Sequence, residues 1–306
     1  MKCLQDIDIY NKLTTIFPRD VILSGVSMKD YTTMKVGGKA DYMVLADSIE
    51  NIQKCVSHLS SLNVPFLIMG NGSNLVFTDN GYHGVIIRIG PAISKTEVDG
   101  EIITAEAGAL LSSVANLAME NSLTGLEFAF GIPGTIGGAA YMNAGAYDGE
   151  MKQVIIESLC IDKEGRYITL RGDEHNFSYR HSRMQDEDLI CLKVKLKLNR
   201  GNKEEIKAKM AELSARRREK QPLTYPSAGS IFKRPPGAFA GKLIDDCGLR
   251  GYRIGGAQVS DKHCGFIINT GNATASDVLA LIKHVQETVY KNFGKLLELE
   301  VKIIGG

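Results

Sequence analysis

A chain of 306 residues can bury a large core and is long enough for two or three domains. Its 36 Lys and Arg against 35 Asp and Glu leave a net charge of +1, so no strong field draws it to nucleic acid or to a membrane surface. The start, Met1-Lys2-Cys3-Leu4-Gln5-Asp6, has no apolar signal core, and no segment reaches the ~18 apolar residues that span a bilayer.

Residues 1–30 read as a helical lead-in without a legible role. After the turn-rich stretch Tyr31-Thr32-Thr33-Met34-Lys35-Val36-Gly37-Gly38, a short strand is expected at Tyr42-Met43-Val44-Leu45. Residues 47–63 predict a helix, capped by Asp47 with Glu50 three residues on, and with Ile49, Ile52, Val56 and Leu59 on one face. A strand over 64–69 then feeds Gly70-Asn71-Gly72-Ser73-Asn74. Gly70-x-Gly72 has the look of a dinucleotide fingerprint. Leu75, however, stands where the third glycine belongs, and Asp79-Asn80-Gly81 signals a turn instead of a helix, so that motif is rejected. Val85-Ile86-Ile87 closes this strand–helix–strand unit near residue 90.

The next block opens on a hairpin, with Asp99-Gly100 as the turn between residues 94–98 and 101–104. Residues 110–121 repeat apolar positions at helical spacing. Residues 125–147 follow, with six glycines and Glu127 as the one charged residue. Glycine weakens a helix by ~1 kcal/mol per residue, and Pro133-Gly134 interrupts a ladder. The stretch therefore reads either as a tightly packed loop or as backbone N–H groups laid against an anionic ligand. Strands are expected at 154–159 and 166–170 around the turn Lys163-Glu164-Gly165. The strict alternation Leu192-Lys193-Val194-Lys195-Leu196-Lys197-Leu198 gives another, its lysines forming a solvated face.

From Lys203 the pattern is helical and charged up to Arg216-Arg217-Arg218-Glu219-Lys220, a basic end that suits the helix dipole, and Pro222 stops it. A capped helix over 276–293 and a terminal strand over 297–304 complete a separate α+β block. Cys3, Cys55, Cys160, Cys191, Cys247 and Cys264 contain no C-x-x-C pair, and the His residues have no ligand spacing. Free thiols in a reducing compartment, and no metal, are expected.

Two side-chain-poor loops more than fifty positions apart imply an extended diphosphate cofactor held from both. Gly70-Asn71-Gly72-Ser73-Asn74, Gly131-Ile132-Pro133-Gly134-Thr135-Ile136-Gly137-Gly138 and Met142-Asn143-Ala144-Gly145-Ala146-Tyr147 together resemble the UDP-N-acetylenolpyruvoylglucosamine reductases, over nearly the whole chain from about Tyr31. The resemblance implies an α+β fold: a two-part FAD-binding domain of the vanillyl-alcohol-oxidase / p-cresol methylhydroxylase type, residues 1–90 and 91–203, and an α+β substrate-binding domain, 204–306. It implies NADPH-dependent, FAD-mediated reduction of UDP-N-acetylglucosamine enolpyruvate to UDP-N-acetylmuramate, a peptidoglycan precursor. The protein would be a cytoplasmic monomer with non-covalent FAD, a UDP-sugar substrate, and no nucleic-acid or membrane partner.

The residues carried over include, for FAD, Gly70, Asn71, Gly72, Ser73, Asn74, Gly131, Ile132, Pro133, Gly134, Thr135, Gly137, Gly138, Asn143, Gly145 and Ile190. Arg180, in Ser178-Tyr179-Arg180-His181, corresponds to the arginine that holds the substrate carboxylate; a guanidinium forks onto a carboxylate and keeps its proton. Ser230, in Ser227-Ala228-Gly229-Ser230, corresponds to the proton donor, with Lys233 as the neighbour that would polarise it. Glu300 corresponds to the catalytic carboxylate, and strand alternation would put Glu298 on its face. Tyr147, Lys233, Arg234 and His263 would line the UDP-sugar, although Arg234 stands where many members have Asn. No sizeable insertion separates Arg180 from Ser230, as in the shorter type without a tyrosine-bearing substrate loop. Taken alone, each of these side chains also suits a plain turn, strand or core role. A flavin-dependent alcohol or sugar oxidase of the same fold class, or a non-catalytic nucleotide-sugar binder, stays open on the sequence.

Overall fold

The computed structural model describes residues 9–305. Residues 9–13 are helical, but Ile22–Ser27 is a strand, which corrects the helical lead-in expected over 1–30; its residues 1–8 lie outside the described residues. Where the sequence reading divides the chain in three at 90 and 203, contacts gather it into two units. One comprises Met1–Ser24, Tyr42–Asn71 and Gly84–Ala215; the other comprises Gly25–Asp41, Gly72–His83 and Arg216–Gly306.

The first unit has two cores. One forms around the helix Ile49–Ser61, whose Ile52, Cys55, Val56 and Leu59 pack with Val44, Val85 and Ile87. Its cap is Ser48, not Asp47: the extended Ser48 accepts the Asn51 N–H at 3.2 Å, and Asp47 accepts the Asn51 side-chain amide at 2.9 Å instead. The strand Phe66–Met69 runs parallel to residues 85–88, with Phe66 opposite Val85. Parallel strands need a crossover between them, so this end of the chain is α/β in character.

The other core lies on a five-stranded antiparallel sheet, in the order Tyr167–Arg171, Ile155–Ile161, Ile190–Lys197, Ile102–Glu106 and Thr96–Asp99. Asp99 pairs with Ile102, so the hairpin turns on Gly100 and Glu101, one residue later than read. Leu192, Val194 and Leu196 are fully buried, as alternation requires. On the opposite face Lys195 meets Glu157 at 2.9 Å and Lys197 meets Glu101 at 2.6 Å, exposed pairs that stabilise by less than ~1 kcal/mol each.

In the second unit the sheet order is Ser227–Ser230, Phe266–Asn269, Ala257–Val259 and Arg253–Ile254. The helix Ala275–Phe293 buries Val278, Leu281, Ile282, Val285 and Val289; Thr274 and Asp277 form its capping box. The strand Leu75–Phe77 runs parallel to Lys302–Ile304 in the same unit. The expected strand over 297–304 is a ladder only at those last residues, while Leu299 makes a single bridge to Phe232. Its partner segment runs into Pro235 and Pro236, which have no N–H to extend a ladder.

Asp79 holds the start of the long helix, accepting the Ala275 and Ser276 N–H groups at 2.9 and 2.8 Å and the Ser276 hydroxyl at 2.6 Å. Partial burial works against its charge, but these donors and Lys29 outweigh it and hold its carboxyl below the usual carboxylate range. A depressed folded-state pKa means stability that is present at neutral pH and lost as pH falls through ~4 and below. Asp79→Asn should therefore lower stability by about 1 kcal/mol at pH 7, a modest value because the site is exposed to water. The deficit should shrink toward pH 3, as urea denaturation of both proteins at the two pH values would measure.

Candidate functional site

The glycine loops meet through packing before any ligand is considered. A Cβ on Gly70 would sit 2.5 Å from the hydroxyl of Thr135. Thr135 is buried and caps a helix, Ile136–Tyr141, by accepting the Gly138 N–H at 3.4 Å. This helix corrects the expectation that residues 125–147 contain none. It forms because Ile136 and Gly137 donate to the carbonyls of Ala109 and Ala107 at 2.8 and 3.0 Å. A Cβ on Gly137 would come within 2.6 Å of the Ala107 side chain. Tertiary contact thus outweighs the helix penalty of ~1 kcal/mol per glycine, and the Gly137 N–H is directed at protein.

Beside Gly70, Asn71 and Thr135 opens a cavity of about 360 Å³. Its other walls include Arg88, Ser94, Ser113, Gly90 and Gly108, next to apolar Ile89 and Leu110; the Ser94 hydroxyl donates to the Pro91 carbonyl at 2.6 Å. A Cβ on Gly90 would meet nothing within 4 Å, so that backbone faces open space. The volume falls in the usual range of ligand pockets, ~300–1,000 Å³. An arginine, a serine and glycine backbone beside an apolar strip suit a phosphate-bearing nucleotide, and so fit part of FAD. Arg88, Ser94, Gly108 and Ser113 carried no motif in the sequence; a strand end, two turns and the start of a helix bring them here.

Other candidates for FAD are engaged within the fold. Ile190 is buried with Ile161 and Leu192. Ile132 donates its N–H to Ala129, and the Gly134 carbonyl accepts from Leu111. Asn143, fully buried, gives its amide hydrogens to Ser178 and Glu150. Pro133 and Gly131 flank these contacts, Gly72 is a left-handed loop residue at φ +63°, and Ser73 follows it.

Two neighbouring turns in the first unit carry non-glycine residues in the left-handed region. Gly145–Ala146 and Gly149–Glu150 pair as a hairpin whose loop residues, Tyr147 and Asp148, have φ of +51° and +66°. Such a two-residue turn demands positive φ at both positions, normally filled by Asn or Gly. Arg180, at φ +56°, lies in the turn closed by Ser178 and His181, and its guanidinium donates to the Gly145 carbonyl at 3.0 Å and stands 5.0 Å above the Tyr179 ring. Strain of this kind gathers at functional positions.

In the second unit the backbones on which Ser230 and Glu300 lie are joined. Between Ser227, opposite Ile268, and Ser230, opposite Phe266, the strand bulges. Gly229, at φ +75°, supplies the bend that re-aims Ser230. The Glu300 N–H donates to Ile231, next to Ser230, at 2.8 Å, and Asn74 donates its side-chain amide to the Glu300 carbonyl at 3.0 Å. Lys233 lies 3.5 Å from Glu298, so its ammonium answers that carboxylate and not Ser230. Arg234 stacks over Phe239 at 4.2 Å. Burial pushes the pKa of His263 down, and its Nδ1 accepts the Gly265 N–H at 3.1 Å. Among the described residues no His, Cys, Asp and Glu group could hold a metal ion, and no helix is long and apolar enough to cross a membrane.

A profile for an FAD binding domain matches residues 40–171, and one for the C-terminal domain of UDP-N-acetylenolpyruvoylglucosamine reductase matches 221–304. The chain is 49% identical over 297 residues to the UDP-N-acetylenolpyruvoylglucosamine reductase of Caldanaerobacter subterraneus subsp. tengcongensis, covering 97% of this chain and 98% of that one. It belongs to the UDP-N-acetylenolpyruvoylglucosamine reductase family. The reductase of Agathobacter rectalis is 50% identical over 305 residues, 96% of this chain and 97% of the relative. The crystal structure of the Thermus caldophilus reductase superposes with a TM-score of 0.80 at 37% identity, over 92% of this chain and 98% of that one. A glucose dehydrogenase, Phl p 4.0202, shares only the fold, with a TM-score of 0.53 and 14% identity over 64% of this chain and 44% of its own. The chain is α+β, an FAD-binding domain followed by the reductase C-terminal domain.

Proposed function

We propose that the chain reduces UDP-N-acetylglucosamine enolpyruvate to UDP-N-acetylmuramate for peptidoglycan synthesis, acting as a cytoplasmic monomer with NADPH as the reductant. The observation that carries this reading is the bulge that presents Ser230 next to the Ile231–Glu300 hydrogen bond, in a chain that also has the Arg88-lined cavity.

FAD, when bound, would supply the hydride chemistry between NADPH and the enolpyruvyl methylene. Gly70, Asn71, Thr135 and Arg88 would hold its nucleotide part. Hydride addition leaves negative charge on the carbon beside the substrate carboxylate and on that carboxylate. Arg180, fixed in direction by the Gly145 carbonyl, forks onto the carboxylate and favours that charge. Ser230 gives its hydroxyl proton to the carbon, and Glu300 completes the polar set beside it. Tyr147, Lys233, Arg234 and His263 contact the UDP-sugar.

The test is a visible spectrum of purified protein. A yellow solution should bleach with NADPH and regain its colour, without oxygen, on adding one equivalent of substrate. The product should be two mass units heavier. Failure to regain colour with substrate, or rapid recolouring by oxygen alone, would replace this reading with the oxidase.

A further inference from the structure

We infer that Asn143 is a positioning residue for Arg180, aiming its guanidinium by tying the Arg180 turn to the segment that accepts the guanidinium. The inference rests on the proposed role of Arg180 as the carboxylate-binding group.

Asn143 is completely buried, at φ +41°. One amide hydrogen goes to the Ser178 carbonyl at 2.9 Å and the other to the Glu150 carboxylate at 3.0 Å, while its carbonyl accepts the Lys152 N–H at 2.9 Å. Ser178 opens the turn that closes on His181 and holds Arg180 in the left-handed region. The far end of Arg180 donates to Gly145, two residues beyond Asn143. The Arg180 carbonyl also accepts the Gln185 side-chain amide at 3.1 Å, but the opening of the turn and the guanidinium are both referenced to the short segment that starts at Asn143.

No other side chain does this in the same space. Aspartate has no hydrogen for Ser178 and would place a second carboxylate against Glu150. Leucine, of similar shape, would leave the Ser178 carbonyl with only the His181 N–H, the Glu150 carboxylate with Lys152, and the Lys152 N–H without its acceptor. With Ser178 released, the turn keeps its own Ser178–His181 bonds and Gln185, but loses its tie to the segment that receives the guanidinium. A misplacement of ~1 Å in a group that orients substrate costs on the order of 10²-fold in rate. Asn143 spends both amide hydrogens in this clamp, which is why it is assigned to Arg180 and not to the cofactor.

Asn143→Asp should keep bound FAD and its reduction by NADPH within ~2-fold, while substrate-dependent reoxidation slows by ~10²-fold and the KM for substrate rises. Added to Arg180→Ala, the same change should cost less than ~3-fold, since the group it aims is gone. Equal slowing of both half-reactions, or full multiplication of the two losses, would mark Asn143 as merely structural and overturn the inference. If Asn143→Asp does not fold, Glu150→Ala removes one arm of the clamp at a half-buried position. It should slow reoxidation alone by at least ~5-fold, and no selective loss would overturn the inference. An Arg180→Ala enzyme that reduces substrate normally would instead bring down the reading of Arg180 on which this stands.

Discussion

Replacing Ser230 by Ala should abolish reduction of the enolpyruvyl substrate while NADPH still bleaches the flavin at close to its normal rate. Only a hydroxyl is removed, from a half-buried position at the end of a short strand. The bend at Gly229 depends on φ +75°, not on that hydroxyl, and a substitution of this kind changes stability by ~0.5 kcal/mol or less. The chemical loss is of another size. A positioned proton donor contributes ~10²–10⁴-fold, and the adjacent carbon needs its proton to complete the reduced product. Stopped-flow measurement of the two half-reactions separates these effects. In deuterated water the residual product should carry one solvent deuteron, added by a slower donor. Survival of both half-reactions would remove Ser230 from the mechanism.

The second large effect is expected at Gly70. A methyl group there lies 2.5 Å from the Thr135 hydroxyl and 3.2 Å from its methyl carbon, closer than such atoms come. Gly70→Ala must therefore turn Thr135 away or displace the loop. Turning Thr135 gives up the cap on Gly138, about 1 kcal/mol of stability. Both responses disturb one wall of the 360 Å³ cavity. FAD affinity should fall by ~10²-fold, a loss of ~3 kcal/mol read from flavin fluorescence during titration of the apoprotein. Thr135→Ala makes room for the new methyl, so the two changes together should cost at least ~1 kcal/mol less than their sum. Unchanged FAD affinity in Gly70→Ala would mean that the cavity is not the cofactor's seat.

Local pattern made much of the fold legible. The alternation at Leu192, Val194 and Leu196 and the helical spacing from Val278 to Val289 each describe a face that is buried as expected. Features set by distant partners were not legible. Ile136–Tyr141 is helical only because Ala107 and Ala109 accept its first N–H groups. The pairing of Leu75–Phe77 with Lys302–Ile304 joins residues from opposite ends of the chain, with no short-range signal. Arg180, Ser230 and Glu300 were named by resemblance; periodicity alone would have left them as turn and strand residues. Arg88 and Ser113 reach the cavity through strand and helix ends that no motif announces.

The pairing of Leu75–Phe77 with Lys302–Ile304 also constrains when the protein can be finished. As the chain leaves the ribosome, the earlier strand emerges long before its companion has been translated. Until residues 302–304 are translated, that edge has to be shielded by other means. The second unit is therefore the late-maturing part of the molecule, because its two parallel strands are made far apart in time.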